Sequence, residues 1–139
     1  MEVITQSAEE TKDFGRKTAA NLNGGQTLAL TGDLGSGKTT FVQGFAEGLG
    51  HIGRIISPTF ILMRKYDLPD GDFYHVDLYR FEDNVEKEVE NIGLRDIWGN
   101  KDNIVVIEWA EKIKNLLPEN TKWLKFEMVG ENERKITVE

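Results

Sequence analysis

Eight consecutive residues carry the strongest chemical signal in this chain. Gly32, Asp33, Leu34, Gly35, Ser36, Gly37, Lys38 and Thr39 fit G-x-x-x-x-G-K-[ST] without a mismatch, the spacing of a loop that wraps nucleotide phosphates. Its glycines let backbone donors face inward with no Cβ in the way. Lys38 is expected to reach the β- and γ-phosphates, and the Thr39 hydroxyl to take one Mg²⁺ position, with Thr40 inside the following helix. A site of this kind also needs a carboxylate at the end of a neighbouring strand. Glu108 closes the apolar run Ile104, Val105, Val106, Ile107, the Walker B layout with Glu in place of Asp. Asp77 closes Phe73 to Val76, a run broken by His75. Either acid would otherwise be a loop cap. The pattern assigns Glu108 to the metal and Asp77 to a supporting or water-positioning role in hydrolysis.

Ser57, Pro58 and Thr59 lie between the loop helix and the next strand, where nucleotide switches sense a γ-phosphate. Thr59 offers a hydroxyl to Mg²⁺ or to that phosphate. A Ser-Pro turn before a strand accounts for the same tripeptide equally well, and both readings stay open. Other signals are discounted. Asn100 to Asn103 misses the guanine-specifying N-K-x-D at its fourth residue, and His51 and His75 lack zinc-ligand spacing. No arginine stands out as a γ-phosphate finger; Arg64, Arg80 and Arg95 are equal candidates.

The elements that must hold these residues follow from periodicity. Ser7 and Glu10 have capping-box spacing, and Phe14, Thr18 and Leu22 recur at helical intervals until Asn23, Gly24 and Gly25. Thr27 to Thr31 reads as a strand into the loop, and Phe41, Phe45 and Leu49 mark the helix after it. Phe60 to Tyr66 and Phe73 to Asp77 read as strands around a turn at Asp67 to Gly71. Val85, Val89 and Ile92 suggest a short acidic helix. Ile104 to Ile107 is a strand buried on both faces, followed by a helix from about Ala110 to Leu117 before Pro118. Alternation at Trp123 to Met128 and at Ile136 and Val138 predicts a C-terminal hairpin turned at Gly130 to Glu133. The expected fold is α/β: a three-layer sandwich with a mixed parallel and antiparallel central sheet, in a single domain over residues 1–139.

Composition narrows the chemistry further. The 139 residues carry 24 acidic and 17 basic side chains, a net charge of −7, and no cysteine. Disulfide scaffolds, Cys-containing zinc sites and thiol nucleophiles are excluded. No apolar run approaches the roughly 20 residues of a membrane span, and no signal peptide is visible, so a cytoplasmic protein is expected. Residues 1–65 hold 7 basic and 6 acidic side chains, leaving 10 and 18 for residues 66–139. The acidic half argues against stable direct binding to nucleic acid. Much of the excess lies at Glu82 to Glu90, either a solvated face or one that meets a basic partner.

Read in order, GDLGSGKTTF (32–41), SPTF (57–60), HVDLYR (75–80), GLRD (93–96) and VVIEWAEK (105–112) resemble the TsaE (YjeE) family, the P-loop ATPases of bacterial tRNA threonylcarbamoyladenosine synthesis. The resemblance covers nearly the whole chain. It implies a Mg²⁺-dependent ATPase, weak alone, that acts with TsaD and TsaB. In that system threonylcarbamoyl passes from threonylcarbamoyl-AMP to the adenosine next to the anticodon, and the small ATPase resets the complex without being the transferase. It further implies that Leu34 to Thr39 hold the phosphates of ATP or ADP, that Thr39 and Glu108 hold Mg²⁺, that Asp77 supports hydrolysis, and that Trp109 adjoins the nucleotide. Base or ribose contacts fall near Ser7 to Thr11, with Thr11 as the candidate, and at the Gly130 turn. Contact with tRNA is expected only through the complex. A nucleotide-gated binding module, in which hydrolysis matters little, remains the alternative. A small-molecule kinase is disfavoured, because too few residues separate Thr40 from Ser57 for an arginine-bearing lid.

Overall fold

The computed structural model of the chain describes residues 1–22, 24–55, 62–69 and 71–139. Its centre is set by two apolar runs that bury both faces. Strand β2 (Gln26–Thr31) follows β1 (Glu2–Thr5) in the chain, and β5 (Asn103–Glu108) pairs with it in parallel, Leu28 opposite Val106. β4 (Gly71–Asp77) lies parallel to β5 on its other side, and β3 (Met63–Leu68) closes that edge antiparallel to β4. Across β2, β6 (Lys122–Met128) is parallel, β7 (Arg134–Val138) folds back against it, and β1 completes the far edge. The order β1-β7-β6-β2-β5-β4-β3 makes one seven-stranded mixed sheet ending in the expected hairpin.

Period-two alternation divides the central strands between two cores. Leu28, Leu30, Ile104 and Val106 face a layer formed by α1 (Ala8–Ala20) and α2 (Lys38–Gly48), with Phe41, Phe45 and Phe126 filling the interface. Ala29, Val105 and Ile107 face the opposite layer of α3 (Val85–Asn91), α4 (Leu94–Trp98) and a 3₁₀ turn at Ala110–Ile113. The sandwich therefore has three layers, as the pattern predicts.

α1 begins where its cap requires: the Ser7 hydroxyl accepts the Glu10 N–H at 3.1 Å, a contact worth about 1 kcal/mol. The Glu10 carboxylate reaches back to the Gln6 N–H at 3.2 Å, one residue outside the usual box. The centre of the buried face is Thr11, Gly15 and Ala19, shifted from the predicted Phe14, Thr18 and Leu22 stripe. Small residues prevail because α1 and α2 meet backbone to backbone. A Cβ on Gly44 would stand 1.8 Å from the Lys12 carbonyl oxygen, so only glycine fits there. Lys12 and Arg16 then pair with Glu47 at 3.1 and 2.9 Å. This contact anchors the helix whose first residue is Lys38.

Three expectations change. The helix predicted from Ala110 to Leu117 is a single 3₁₀ turn, Ala110–Ile113. Its apolar residues recur three apart, at Ala110, Ile113 and Leu116, a spacing that suits three residues per turn better than 3.6. The β3–β4 hairpin is tighter than predicted, because pairing runs on to Leu68 opposite Gly71; Phe60 lies outside the described residues. β1 and α4 are additions, too short to leave a periodic signature.

Candidate functional site

The segment from Gly32 to Gly37 connects β2 to α2, and three of its glycines, Gly32, Gly35 and Gly37, take φ values of 136°, 79° and 102°. Gly32 is also sterically required: a Cβ there would lie 2.4 Å from the Phe126 carbonyl oxygen. Gly37 caps α2 without a side-chain hydrogen bond, and the first turn of α2 carries no acidic residue. The helix thus presents open N–H groups and an uncompensated positive dipole end to the loop. Ser36 is buried, and its Oγ has no hydrogen-bond partner.

Lys38 is buried at the head of α2. Its Nζ donates to the Gly32 carbonyl and sits 4.0 Å over the Trp109 ring centroid. Desolvation pushes its pKa down, and the charges of Glu108, Glu111, Asp77 and Asp33 oppose that shift. An anion entering the loop would meet a cation the protein has stripped of water.

Asp77 and Glu108 end adjacent parallel strands in register with each other. Both side chains belong to the sheet face that carries the phosphate loop and α2, two residues beyond His75 and Val106 on that face. His75 Nε2 lies 2.6 Å from Glu108 Oε2 with both side chains buried. Asp77 Oδ1 accepts the Tyr79 N–H at 2.9 Å. Burial raises the Asp77 pKa above the ordinary carboxylate value, and the neighbouring Glu108 adds to the rise, while the Tyr79 bond, His75 and Lys38 oppose it. A folded-state pKa raised in this way makes the ionised form costly. The cost is absent below the ordinary carboxylate range and complete above the raised value. Asp77→Asn is therefore expected to melt at a higher temperature than wild type at pH 7, with the gap closing as the pH falls through that range. Thermal denaturation across pH measures it, and a lower melting temperature at pH 7 would contradict the assignment.

Trp109 holds its backbone at φ 61° immediately after β5. A bulky residue in the left-handed region costs on the order of 1–3 kcal/mol, and such strain gathers at working sites. The Trp109 N–H bonds to the Leu30 carbonyl at 3.1 Å, and its ring lies 5.2 Å from that of Tyr79. Lys112 braces the same corner through the carbonyls of Leu78, Tyr79 and Phe81 at 3.1, 3.0 and 2.8 Å.

These parts border one cleft of about 340 Å³. Of the residues singled out from sequence, Thr11, Leu34, Gly35, Gly37, Lys38, Thr39 and Thr40 line it from the loop side, and Asp77, Glu108 and Trp109 from the strand ends. Asp33 and Ser36 instead line a neighbouring cleft on the other side of the loop. Gly130 borders neither; its carbonyl accepts from Arg134 Nη1 at 3.3 Å. Ser57 and Thr59 lie outside the described residues. Sequence reasoning missed Tyr79, Asn132 and Arg134, which also line the cleft. Of the arginines weighed as fingers, Arg95 pairs with Glu90 at 2.5 Å and Arg80 borders a separate cleft with Trp109 and Lys112. Arg64 lies on β3 opposite His75, its Nε buried without a partner. Among the described residues no three His, Asp or Glu side chains form a self-sufficient metal cage. No helix among the described residues is long and apolar enough to cross a membrane.

A family model described as "Threonylcarbamoyl adenosine biosynthesis protein TsaE" matches residues 5–136. The tRNA threonylcarbamoyladenosine biosynthesis protein TsaE of Bacillus subtilis (strain 168) is 41% identical over 133 residues, 96% of this chain and 81% of that protein. The protein of the same name from Treponema pallidum (strain Nichols) is 35% identical over 139 residues, 99% of each chain. Among solved structures, a crystal structure of Bacillus subtilis YdiB superposes with a TM-score of 0.81 at 36% identity, over 99% of this chain and 83% of that one.

Proposed function

The chain belongs to the TsaE family of threonylcarbamoyl adenosine biosynthesis proteins, and from that membership we propose that it is the ATP-binding and hydrolysing subunit of tRNA threonylcarbamoyladenosine synthesis. One observation carries the proposal. Lys38, Asp77 and Glu108 come from three separate segments and line a single cleft against the glycine loop.

In this reading the N–H groups from Leu34 to Thr39 hold the phosphates and Lys38 binds the β- and γ-phosphates. Thr39 and Glu108 hold Mg²⁺, which when bound neutralises charge on the phosphate oxygens. Asp77 lies beside Glu108 and supports hydrolysis by orienting water. Trp109 forms a wall of the nucleotide site, while Thr11 and the Gly130 turn lie toward base and ribose. Thr59 and Ser57 complete a γ-phosphate switch.

In this reading hydrolysis by the chain alone is slow, because Lys38 is the one side-chain cation assigned to the phosphates. Arg134, the one arginine lining the cleft among the described residues, spends Nη1 on the carbonyls of Gly130, Glu131 and Glu133 at 3.3, 3.2 and 2.9 Å. A partner's cation supplied in trans can be worth roughly 10³ to 10⁵ in rate. TsaD and TsaB are the proposed partners, with the chain resetting their complex rather than transferring the threonylcarbamoyl group. The acidic second half leaves tRNA to those subunits, and the work is cytoplasmic. Affinity capture from cell extract with and without ATP tests the partnership. TsaD or TsaB is expected in the eluate, and recovery of neither in either condition would count decisively against it.

A further inference from the structure

His75 occupies a position where a strand buried between two others ordinarily places valine or isoleucine. It lies on β4 between β3 and β5 and is fully buried, with the Phe73 ring nearly parallel to the imidazole, 9° between planes and 6.4 Å between centroids. Directly opposite it on β5 is Val106, so Glu108 is its diagonal neighbour on the same face, a separation that long side chains span. They do so here, with Nε2 and Oε2 2.6 Å apart.

The other ring nitrogen fixes the proton. Nδ1 is buried and has no hydrogen-bond partner. A proton on Nδ1 would leave a buried donor unsatisfied and turn the bare Nε2 lone pair toward a carboxylate that only accepts. A proton on Nε2 avoids both penalties, and that N–H donates to Glu108. One oxygen of Glu108 is thereby tied to the sheet, while the side chain still lines the cleft beside Lys38. Released from His75, the Glu108 carboxylate would no longer be held at one position in the cleft.

We propose that His75 is a positioning residue that holds Glu108 by one oxygen, so that the other stays available to the divalent cation accompanying the nucleotide. The inference rests on the proposed ATPase site and adds to it a residue that touches neither nucleotide nor metal. Outer partners of this kind typically change metal affinity by roughly 10- to 100-fold.

The test measures ADP affinity with Mg²⁺ and with EDTA for wild type, His75→Leu and His75→Gln, so no turnover is needed. Wild type is expected to bind ADP more tightly with Mg²⁺. His75→Leu should lose most of that enhancement, about tenfold, with affinity in EDTA unchanged. His75→Gln places an amide N–H near the position of Nε2 and should restore the enhancement. If His75→Leu does not fold, His75→Asn replaces it, since its amide reaches only as far as Nδ1. In the ligand-free protein a downfield imidazole Nε2–H proton is expected, shifted by Glu108→Gln. Retention of the full Mg²⁺ enhancement in His75→Leu, equal losses with and without metal, or no recovery in His75→Gln would each overturn the proposal. If wild type shows no Mg²⁺ enhancement, the metal role of Glu108 fails first and this inference falls with it.

Discussion

Lys38→Ala is expected to lower ATP affinity by about 100-fold or more while leaving the chain folded. A charge-assisted hydrogen bond contributes roughly 1.5–3 kcal/mol, and a lysine bridging two phosphates makes two of them, against about 1.4 kcal/mol per tenfold in affinity. The fold should tolerate the loss. Lys38 packs against Trp109 and donates to Gly32, but burial already disfavours its charged form, so removing it relieves desolvation as it removes those contacts. Calorimetric titration of nucleotide together with a melting curve checks both halves. Near-normal affinity in a folded variant would remove the phosphate loop from the account.

Glu108→Gln is expected to lower ATP hydrolysis by about 100-fold or more, with ATP binding in Mg²⁺ weakened by only about tenfold, so that ATP in excess still occupies the site. Gln is a better choice than Ala for a reason visible only in the fold. Alanine would leave the His75 Nε2–H buried without an acceptor, at a cost of about 1–3 kcal/mol, and would confuse lost chemistry with lost stability. The glutamine carbonyl still accepts that proton. This variant also separates the two functional readings. If modification of tRNA fails with a protein that binds ATP and does not split it, hydrolysis is the working step. If modification proceeds, ATP serves as an occupancy signal and the chain is a nucleotide-gated module.

The parts of this site legible in sequence were those whose chemistry and spacing are local. Gly32 to Thr39 is contiguous, and the run into Glu108 is apolar on both faces because β5 lies between β2 and β4. Asp77 is less legible because His75 interrupts its strand, and periodicity treats a histidine as a polar break. In the fold that break is the partner of Glu108, paired across two strands. Arg134 and Asn132 reach the cleft from the C-terminal hairpin, beside the Gly130 turn that the resemblance marks for base or ribose contact, but no motif singles out either residue. The Arg134 side chain comes close to Gly37 because β7 folds beside β6 at the edge of the loop. The helix that the pattern predicts over Ala110 to Leu117 is longer than the 3₁₀ turn observed, because threefold and 3.6-fold spacing are alike over so short a span. At Glu82 to Glu90, Val85 and Val89 are buried while Glu86 and Glu90 face outward. Both readings of that segment, a solvated face and one that meets a basic partner, place these carboxylates outward.

The most direct measurement is ATP turnover and threonylcarbamoyladenosine formation in a purified mixture of this chain, TsaB, TsaD, tRNA and threonylcarbamoyl-AMP. The account predicts that ATPase activity rises by roughly 10³-fold or more when both partners are added. It also predicts that modified tRNA accumulates beyond one equivalent of TsaD only when the chain and ATP are both present. Equal ATPase rates with and without the partners, together with full modification in the chain's absence, would contradict it.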